Sequence, residues 1–488
     1  MIRQNIRRLV KPDFLMLLPL LGLAFYTAYI PHINYPYPLH VDEWVHLAYS
    51  KAMMQSGSTT FLDPFYGQSM VGLSSNLEAG FHLFLGTFQA ISGVSWMDIF
   101  RYLPAVIFTF TVLSVYIMAR REGFGWEAAF FTCLIPTTVG ILGPAFLVPV
   151  SVGLLFTPLI LFIAFNFSSI WHYLLIFGIT CFLLSIHAPS AICPIIILVP
   201  YILLNLKGNH KHSLLTALAL MLPFFVVFPW ISDLLLPTAR SLLTQRPPTE
   251  YVQLPKIIET YGYLPILFCL LGTFSLAIKG GKKNYGLILG LLALLLMLLT
   301  FYTFHYGVAI VYERGLMYMM LMLGIVAGAG LSAVKNLHLP ANIRLWKGLS
   351  PVMPYLGRAL CLIFVGIILA VTIPVRLDAD YYRMIDKEDY QAFVWIRDNI
   401  GADYQRAVLD PWKATAFTAI TGKYIYSRIH ASPQPGDLEA YQFLHDGCSD
   451  TAFLRENGIS IVYSQGLCSN PDLVEVRQGV YILPESGE

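Results

Sequence analysis

The sequence contains few charged residues. They make up only 12% of its 488 residues, whereas hydrophobic residues make up 56%. A soluble domain usually has about 25% charged residues. The composition therefore argues against an ordinary soluble protein and predicts a polytopic membrane protein with membrane lipids around it. The formal net charge is +2, and without a long basic block we expect no nucleic-acid partner.

Several sequence signatures are also missing. There is no Walker loop, no dinucleotide-binding fingerprint and no nucleophile elbow, which argues against an energy-driven pump. Of the seven cysteines, five lie in apolar runs, where we expect small packed hydrophobic side chains. Cys448 and Cys468 lie in the polar tail. A disulfide and two free thiols are equally compatible with their positions.

Long apolar runs are abundant. Since a spanning helix needs about 20 mostly apolar residues, we predict about eleven spans. They lie near residues 13–30, 103–118, 126–142, 148–165, 171–186, 190–206, 214–231, 263–278, 285–304, 315–334 and 356–375. A weaker run, residues 79–94, contains three glycines and one histidine, so we expect it in the membrane interface.

The basic residues predict the orientation in the membrane, because Lys and Arg concentrate in cytoplasmic loops. With residues 79–94 in the interface, four basic groups fall on the same side as the basic N-terminus: Arg120/Arg121, Lys207/Lys211, Lys279/Lys282/Lys283 and Lys335/Arg344/Lys347. No small-residue cleavage site follows the first run, so we expect a retained signal anchor. The prediction is a multi-pass cell-membrane protein with a cytoplasmic N-terminus, a long first outer loop (31–101) and an extracytoplasmic C-terminus.

The tail is more polar than the rest of the chain. It shows helical spacing of apolar residues over 387–399, a short helix over 451–456, and strand-like runs at 406–409, 424–426, 459–463 and 480–483. Alternating helices and strands indicate a small α/β domain. The predicted fold is therefore mainly α, with a transmembrane helix bundle (1–376) followed by a soluble extracytoplasmic α/β domain (377–488).

Two adjacent acids, Asp42 and Glu43, follow the first apolar run in the stretch HVDEWVHLAYS. A carboxylate facing a groove can act as a general base. Neighbouring helical residues point about 100° apart, so we expect one acid to face substrate and the other to support the fold. His46 follows Asp42 by four residues and shares its face. An N-cap role for Asp42, in a helix ending before Gly57, is equally compatible.

Histidines near the acidic pair are candidate ligands for a metal. His40, His46 and His82, with Glu43 or Glu78, offer nitrogen and oxygen atoms. Their spacing fits no strong zinc signature, and a hard divalent cation needs more oxygen ligands. We therefore expect no metal and no other cofactor, and we disfavour a divalent ion. The same residues are candidates for lining a substrate groove.

Arginines provide candidates for phosphate binding, because the guanidinium group binds phosphate bidentately. Arg314, in VYERGLMY, comes first, and Arg240 and Arg246 are weaker candidates. A pair with Glu313 or an interfacial position is the alternative for Arg314. His187 and Tyr312 are further candidates for the groove. A hydrogen-bonded structural role is at least as compatible for His187.

These motifs together resemble the GT-C superfamily of membrane glycosyltransferases, which includes protein O-mannosyltransferases, aminoarabinose transferases and oligosaccharyltransferases. The resemblance is carried by the acidic pair, the interfacial run LEAGFHLFLG, the span RYLPAVIFTFTVLSVYIMARREGFG, the late ERGLMYMML and the polar tail. It implies a polyprenyl-phosphate-linked sugar donor. It also implies an acidic base, Asp42 before Glu43, and phosphate binding by Arg314.

The sequence departs from the oligosaccharyltransferase pattern at two places. Residues 409–413 read LDPWK where a Trp-Trp-Asp-Tyr-Gly motif is expected, and residues 140–151 contain no carboxylate. The resemblance therefore implies an inverting transferase that moves a sugar to a lipid, glycan or protein acceptor at the extracytoplasmic face. The alternatives are a transporter or flippase of lipid-linked sugars, or an oligosaccharyltransferase-like enzyme.

Overall fold

The computed structural model describes residues 17–72, 76–139, 141–244, 254–337, 353–429 and 434–484. Side chains are not described at 228–244, 309–310 and 353–354. Contacts divide the chain into two compact units. The helical unit comprises residues 1–34 and 101–381, and the α/β unit comprises residues 35–100 and 382–488. Most of the predicted first outer loop thus packs with the C-terminal residues, whereas the sequence had assigned it to the membrane domain.

The helices account for most of the fold. In chain order they are α1 (Leu17–Tyr29), α2 (Val41–Ser56), α3 (Ala79–Ser92), α4 (Trp96–Arg120), α5 (Gly125–Thr132), α6 (Pro149–Asn166), α7 (Ile170–Ile186), α8 (Ala188–Asn205), α9 (His210–Thr244), α10 (Leu254–Tyr261), α11 (Tyr263–Lys279), α12 (Lys282–Phe304), α13 (Ala309–Lys335), α14 (Met353–Leu377), α15 (Lys387–Asn399), α16 (Ala414–Thr421), α17 (Pro435–His445) and α18 (Thr451–Glu456).

Among the described residues, seven helices are long and apolar enough to cross a membrane. The number rises to eight if α10 and α11, which meet at a bend of 100°, form one span. Two shorter apolar helices, Leu17–His32 and Ile170–Ile186, match further predicted spans. These helices confirm the predicted multi-pass helical fold.

The span predicted at residues 126–142 is wrong. Helix α5 ends at Thr132 after eight residues, and the described residues between it and α6 form turns and irregular chain. Pro136 and Pro144 lie in this stretch, and proline provides no N–H for a continuing helix. The buried guanidinium of Arg376 donates to the carbonyl oxygens of Cys133, at 3.4 Å, and of Leu134. The arginine thus satisfies backbone groups that a longer helix would have paired.

Small residues allow helices α11 and α13 to pack closely. A Cβ atom added to Gly330 of α13 would collide with the carbonyl oxygen of Phe268 in α11. The same addition to Gly272 of α11 would collide with the carbonyl oxygen of Val326 in α13. Helices in membranes associate mainly through such close packing, because lipid tails are as apolar as the side chains themselves.

The α/β unit contains a five-stranded mixed sheet. Strands β1 (Phe61–Leu62) and β2 (Met70–Val71) form a separate antiparallel pair. The sheet is built from β3 (Arg406–Val408), β4 (Tyr424–Ile425), β5 (Ile461–Tyr463), β6 (Val474–Arg477) and β7 (Val480–Ile482), in the order β4-β3-β5-β7-β6. Strand β3 pairs in parallel with β4 and β5, whereas β7 is antiparallel to β5 and β6. This confirms the predicted small α/β fold.

Contacts join the two sequence segments of the α/β unit. The Tyr35 hydroxyl donates to the carbonyl oxygen of Ile385 at 2.8 Å, and the backbone N–H of Ile425 donates to the carbonyl oxygen of Phe65 at 2.8 Å. In the C-terminal segment, a disulfide joins Cys448 and Cys468. From the sequence alone, a disulfide and two free thiols were equally compatible with these positions.

We predict that Gly330→Ala destabilises the helical unit, because the added methyl group has no space between α11 and α13. Overpacking of this kind costs about 1–3 kcal/mol. The matched control is Gly366→Ala in α14, where a Cβ atom meets nothing within 4 Å. The control should be neutral or slightly stabilising, because alanine is the better helix former. Thermal unfolding in detergent measures both, and an equal effect of the two variants would contradict the packing.

Candidate functional site

The acidic pair lies at the start of helix α2. The buried carboxylate of Glu43 accepts the backbone N–H groups of Leu39 at 2.7 Å and His40 at 3.1 Å. His40 is the N-cap, and its Nδ1 atom accepts the backbone N–H of Asp42 at 3.1 Å. The N-cap role considered for Asp42 is therefore wrong, because His40 takes this position. The predicted end of the helix is confirmed, since Gly57 follows Ser56 with φ +62°.

The two acids occupy different environments. The side chain of Asp42 is 41% exposed, whereas Glu43 is 0% exposed. One Oδ atom of Asp42 lies 3.6 Å from His40 Nδ1, so the two side chains are neighbours at the helix start. Of the pair, Asp42 is the acid exposed to solvent, and Glu43 is the buried acid that accepts hydrogen bonds at the helix start.

One turn further along α2, a second cluster forms. The Nδ1 atom of His46 lies 3.0 Å from Nε2 of His82, and 3.8 Å from a carboxylate oxygen of Glu78. Ligand atoms of all three residues lie within 4.8 Å of one another. The sequence had grouped five candidate ligands, and the structure brings together the three that connect α2 with the start of α3.

The environment of His82 keeps its ring neutral. The ring is buried beside Tyr49, with the ring centres 5.3 Å apart. Burial lowers the pKa of His82 to about 3, because the protonated ring would lose its hydration. Its Nδ1 atom lies 3.1 Å from the side-chain amide nitrogen of Asn76. The sequence had not singled out Asn76, although its position just before the start of α3 is a signal for a capping residue.

The helical unit holds a second polar group. His187, between α7 and α8, is buried, and its Nδ1 atom lies 2.7 Å from the hydroxyl of Ser190. Arg314, in the first turns of α13, acts electrostatically on His187. Tyr312 is buried and stacks on Phe301, with the ring centres 4.5 Å apart. His187 and Arg314, which the sequence proposed separately, thus lie in one region of the helical unit.

Only the backbone is described at Arg240, which lies in α9, and Arg246 lies outside the described residues.

A cleft of about 700 Å³ lies within the α/β unit, between the second half of α2 and α16. Its lining includes Lys51, Gln55, Asp63, Arg397 and Thr418. The Lys51 ammonium group donates to the carbonyl oxygen of Ala419 at 2.7 Å. Burial, and secondarily the charge of Arg397, lower the pKa of Lys51 to about 8. No local sequence pattern indicates this cleft, because its two sides are far apart along the chain.

Comparison with known proteins identifies a class of fold. No protein-family model matches the chain, and no curated protein matches it. Among solved structures, it is similar to the apo form of the oligosaccharyltransferase of Archaeoglobus fulgidus, with a TM-score of 0.61 and 11% identity. That match covers 92% of this chain and 69% of the other. The chain thus has a fold similar to that of this oligosaccharyltransferase, which agrees with the fold expected from the sequence.

Two further structures of oligosaccharyltransferase from Archaeoglobus fulgidus match similarly. The archaeal oligosaccharyltransferase AglB in complex with an inhibitory peptide and a dolichol-phosphate gives a TM-score of 0.62 and 13% identity, over 92% of this chain and 69% of that one. A complex with Zn and sulfate gives 0.59 and 13%, over 91% and 68%.

We predict that Glu43→Gln destabilises the α/β unit and that Asp42→Asn does not. The glutamine loses the charge that strengthens two buried hydrogen bonds, which should lower the free energy of unfolding by about 1–3 kcal/mol. The more exposed Asp42 should change it by less than about 0.5 kcal/mol. Denaturant unfolding followed by tryptophan fluorescence compares the two variants. Equal losses would contradict the division of roles between the acids.

We also predict that Lys51 makes stability depend on pH. Because its pKa is lower in the folded state, the unfolded chain binds more protons between about pH 8 and pH 10.4. The contribution of Lys51 to stability should therefore rise across this range, by at most about 1.4 kcal/mol per pH unit. Unfolding curves at several pH values test this. The rise should disappear in Lys51→Met, and a rise that persists there belongs to other groups.

Proposed function

We propose that the protein is a membrane glycosyltransferase that moves a sugar from a polyprenyl-phosphate-linked donor to an acceptor. The observation that carries the proposal is the exposed Asp42 beside the buried Glu43, at a helix start in a chain with the oligosaccharyltransferase fold. One of the similar structures contains a dolichol-phosphate, and another is tethered to an acceptor peptide. Both molecules are models for the two substrates proposed here.

In the proposed reaction, Asp42 is the general base. Its carboxylate accepts the proton of the acceptor group as that group attacks the anomeric carbon of the sugar. The bond from this carbon to the phosphate oxygen breaks in the same step, and the polyprenyl phosphate leaves with the bonding electrons. A single displacement inverts the configuration at the anomeric carbon. The exposure of Asp42 and its position in the first turn of a rigid helix support this role.

Arg314 is the proposed partner of the donor phosphate. Negative charge develops on the phosphate as the sugar leaves, and a fixed guanidinium group stabilises this charge. Tyr312 lies in the first turn of α13, and Arg314 acts electrostatically on His187. We propose that His187 and Tyr312 line the donor site. Arg240 and Arg246 remain weaker candidates for the same task. Polyprenyl phosphate is a fair leaving group, so the reaction as proposed needs no metal ion.

The proposed acceptor is a lipid, a glycan or a protein, reached at the extracytoplasmic face of the cell membrane. The peptide-tethered relative supports a protein acceptor, whereas the missing Trp-Trp-Asp-Tyr-Gly motif at residues 409–413 argues against the same sequon. The cleft beside Lys51 is large enough for a few acceptor residues. In the proposed orientation the N-terminus is cytoplasmic and the α/β unit is extracytoplasmic.

We predict that Asp42→Asn lowers sugar transfer by about 100-fold or more, because general bases contribute about 10²–10⁴-fold to rates. The assay uses purified full-length protein in lipid vesicles, with radiolabelled polyprenyl-phosphate sugars and a mixture of lipid, glycan and peptide acceptors. Asp446→Asn is the matched control, because Asp446 is a strongly exposed carboxylate of the same unit. It should retain full activity.

Two outcomes would contradict the proposal. Transfer that survives the double variant Asp42→Asn, Glu43→Gln would exclude the acidic pair as the source of the base. Movement of the labelled lipid across the vesicle membrane without any transfer would instead favour the transporter alternative. A transporter is expected to bind its substrate near the middle of the membrane, and Asp42 substitution should then leave transport unchanged.

A further inference from the structure

We propose that His46, Glu78 and His82 bind a divalent transition-metal ion of the zinc class. This site lies within the α/β unit and is independent of the proposed transfer reaction, which uses no metal. The sequence argued against an ion here, because the three residues match no known spacing. The structure brings them together on two helices, with Glu78 as the N-cap residue of α3 and His82 four residues later.

The distances between the ligand atoms fit a single ion. Zinc binds histidine nitrogen and carboxylate oxygen at about 2.0–2.2 Å, which places tetrahedral ligands about 3.3–3.5 Å apart. The His46 Nδ1 atom lies 3.0 Å from His82 Nε2 and 3.8 Å from the Glu78 carboxylate. Both distances lie within about half an ångström of this spacing, and all three ligand atoms lie within 4.8 Å of one another.

The packing around the cluster fixes the two imidazole rings. His46 is 5% exposed and contacts the edge of Phe81, with the ring centres 4.9 Å apart, and His82 is 1% exposed. Rings held by packing lose little freedom when an ion binds. The Glu78 side chain is 31% exposed, so an ion can enter from this side, and a water molecule can complete its coordination.

The donor set selects the kind of metal. Two imidazole nitrogens and one carboxylate oxygen suit zinc and its neighbours among the transition metals, whereas magnesium and calcium prefer oxygen ligands alone. Each imidazole offers one ring nitrogen to the ion. The carboxylate offsets half of the charge of a divalent cation.

Asn76 controls the tautomer of His82. Its amide nitrogen donates to His82 Nδ1, and its amide oxygen accepts the backbone N–H of Glu78 at 3.2 Å. This arrangement leaves the proton of His82 on Nε2, where it is donated to His46. An ion needs the lone pair of Nε2, so binding moves that proton to Nδ1 and requires an acceptor oxygen at position 76. Metal binding therefore requires the side-chain amide of Asn76 to rotate by about 180°, so that its oxygen faces His82 Nδ1.

An aspartate at position 76 satisfies both requirements without turning. Its carboxylate can accept the backbone N–H of Glu78 and the Nδ1–H of His82 together. A carboxylate behind a metal-bound histidine also makes the ring a better ligand, and such outer partners change metal affinity by about 10–100-fold. Asn76→Asp should therefore bind the ion more tightly than the wild type, which a purely structural role of the cluster does not predict.

The test uses full-length protein without a polyhistidine tag, stripped of metal by a chelator. Co²⁺ is titrated first and followed by the visible absorption of the bound ion, and Zn²⁺ is then added to displace it. We expect one equivalent per chain and a higher unfolding temperature with the ion, because binding only to the folded state stabilises it. His46→Gln and His82→Gln should abolish the absorption, and Glu78→Gln should weaken binding about 10-fold or more.

His445→Gln is the matched control, because His445 is a strongly exposed histidine of the same unit. It should bind the ion like the wild type. The proposal is overturned if the wild type binds no Co²⁺, or if His46→Gln folds and still binds it with the same absorption. Weaker binding by Asn76→Asp would overturn the role given to Asn76. Since every readout is metal binding or stability, a failure of the sugar-transfer assay leaves the result intact.

Discussion

The buried carboxylate of Glu43 is the interaction on which the candidate site depends. A charge buried away from water is very costly unless hydrogen bonds satisfy it. The two backbone N–H groups before α2 supply those bonds, so Glu43 fixes both the residue where the helix begins and the direction of each side chain along it. Asp42 then points to a more exposed side, and His46 comes one turn later beside α3. A single buried acid thus positions two different chemical groups.

The helical unit depends on a different constraint, which is the close approach of backbones in an apolar environment. Glycines at the contact of α11 and α13 remove the side chains that would separate the helices. Where the chain cannot remain helical, after Thr132, a buried arginine satisfies the carbonyl groups instead. Both devices serve the rule that backbone polar groups in a membrane must find partners within the protein.

Local patterns predicted much of the fold. The periodicity of residues 387–399 matches α15, and the apolar runs matched most of the long helices. Strand β6 was missed, although Gly479, with φ +73° in the two-residue connection to β7, permits a tight turn there. The early end of α5 was missed because the hydropathy of an apolar run indicates its length and burial. It does not take account of the prolines that end a helix.

Long-range contacts could not be predicted from the sequence. Tyr35 and Ile385 are 350 positions apart, and no local pattern shows that the first loop packs with the C-terminal segment. Only the local part of the candidate site could be predicted, because long-range contacts leave no local pattern in the sequence. The acidic pair is a local feature of the sequence, and its two members differ in exposure; their roles in the reaction stay a prediction. The selection of His46, Glu78 and His82 from five candidates needed the relative position of two helices.

The contact of Arg376 also restricts how α14 can be placed during assembly. If α14 were shifted by one residue in register, the guanidinium group would be rotated about the helix axis by about 100°. It would then face away from the carbonyl oxygens of Cys133 and Leu134, and a buried charge would lose its partners. The buried contact therefore favours one register of α14 against the residues that follow α5.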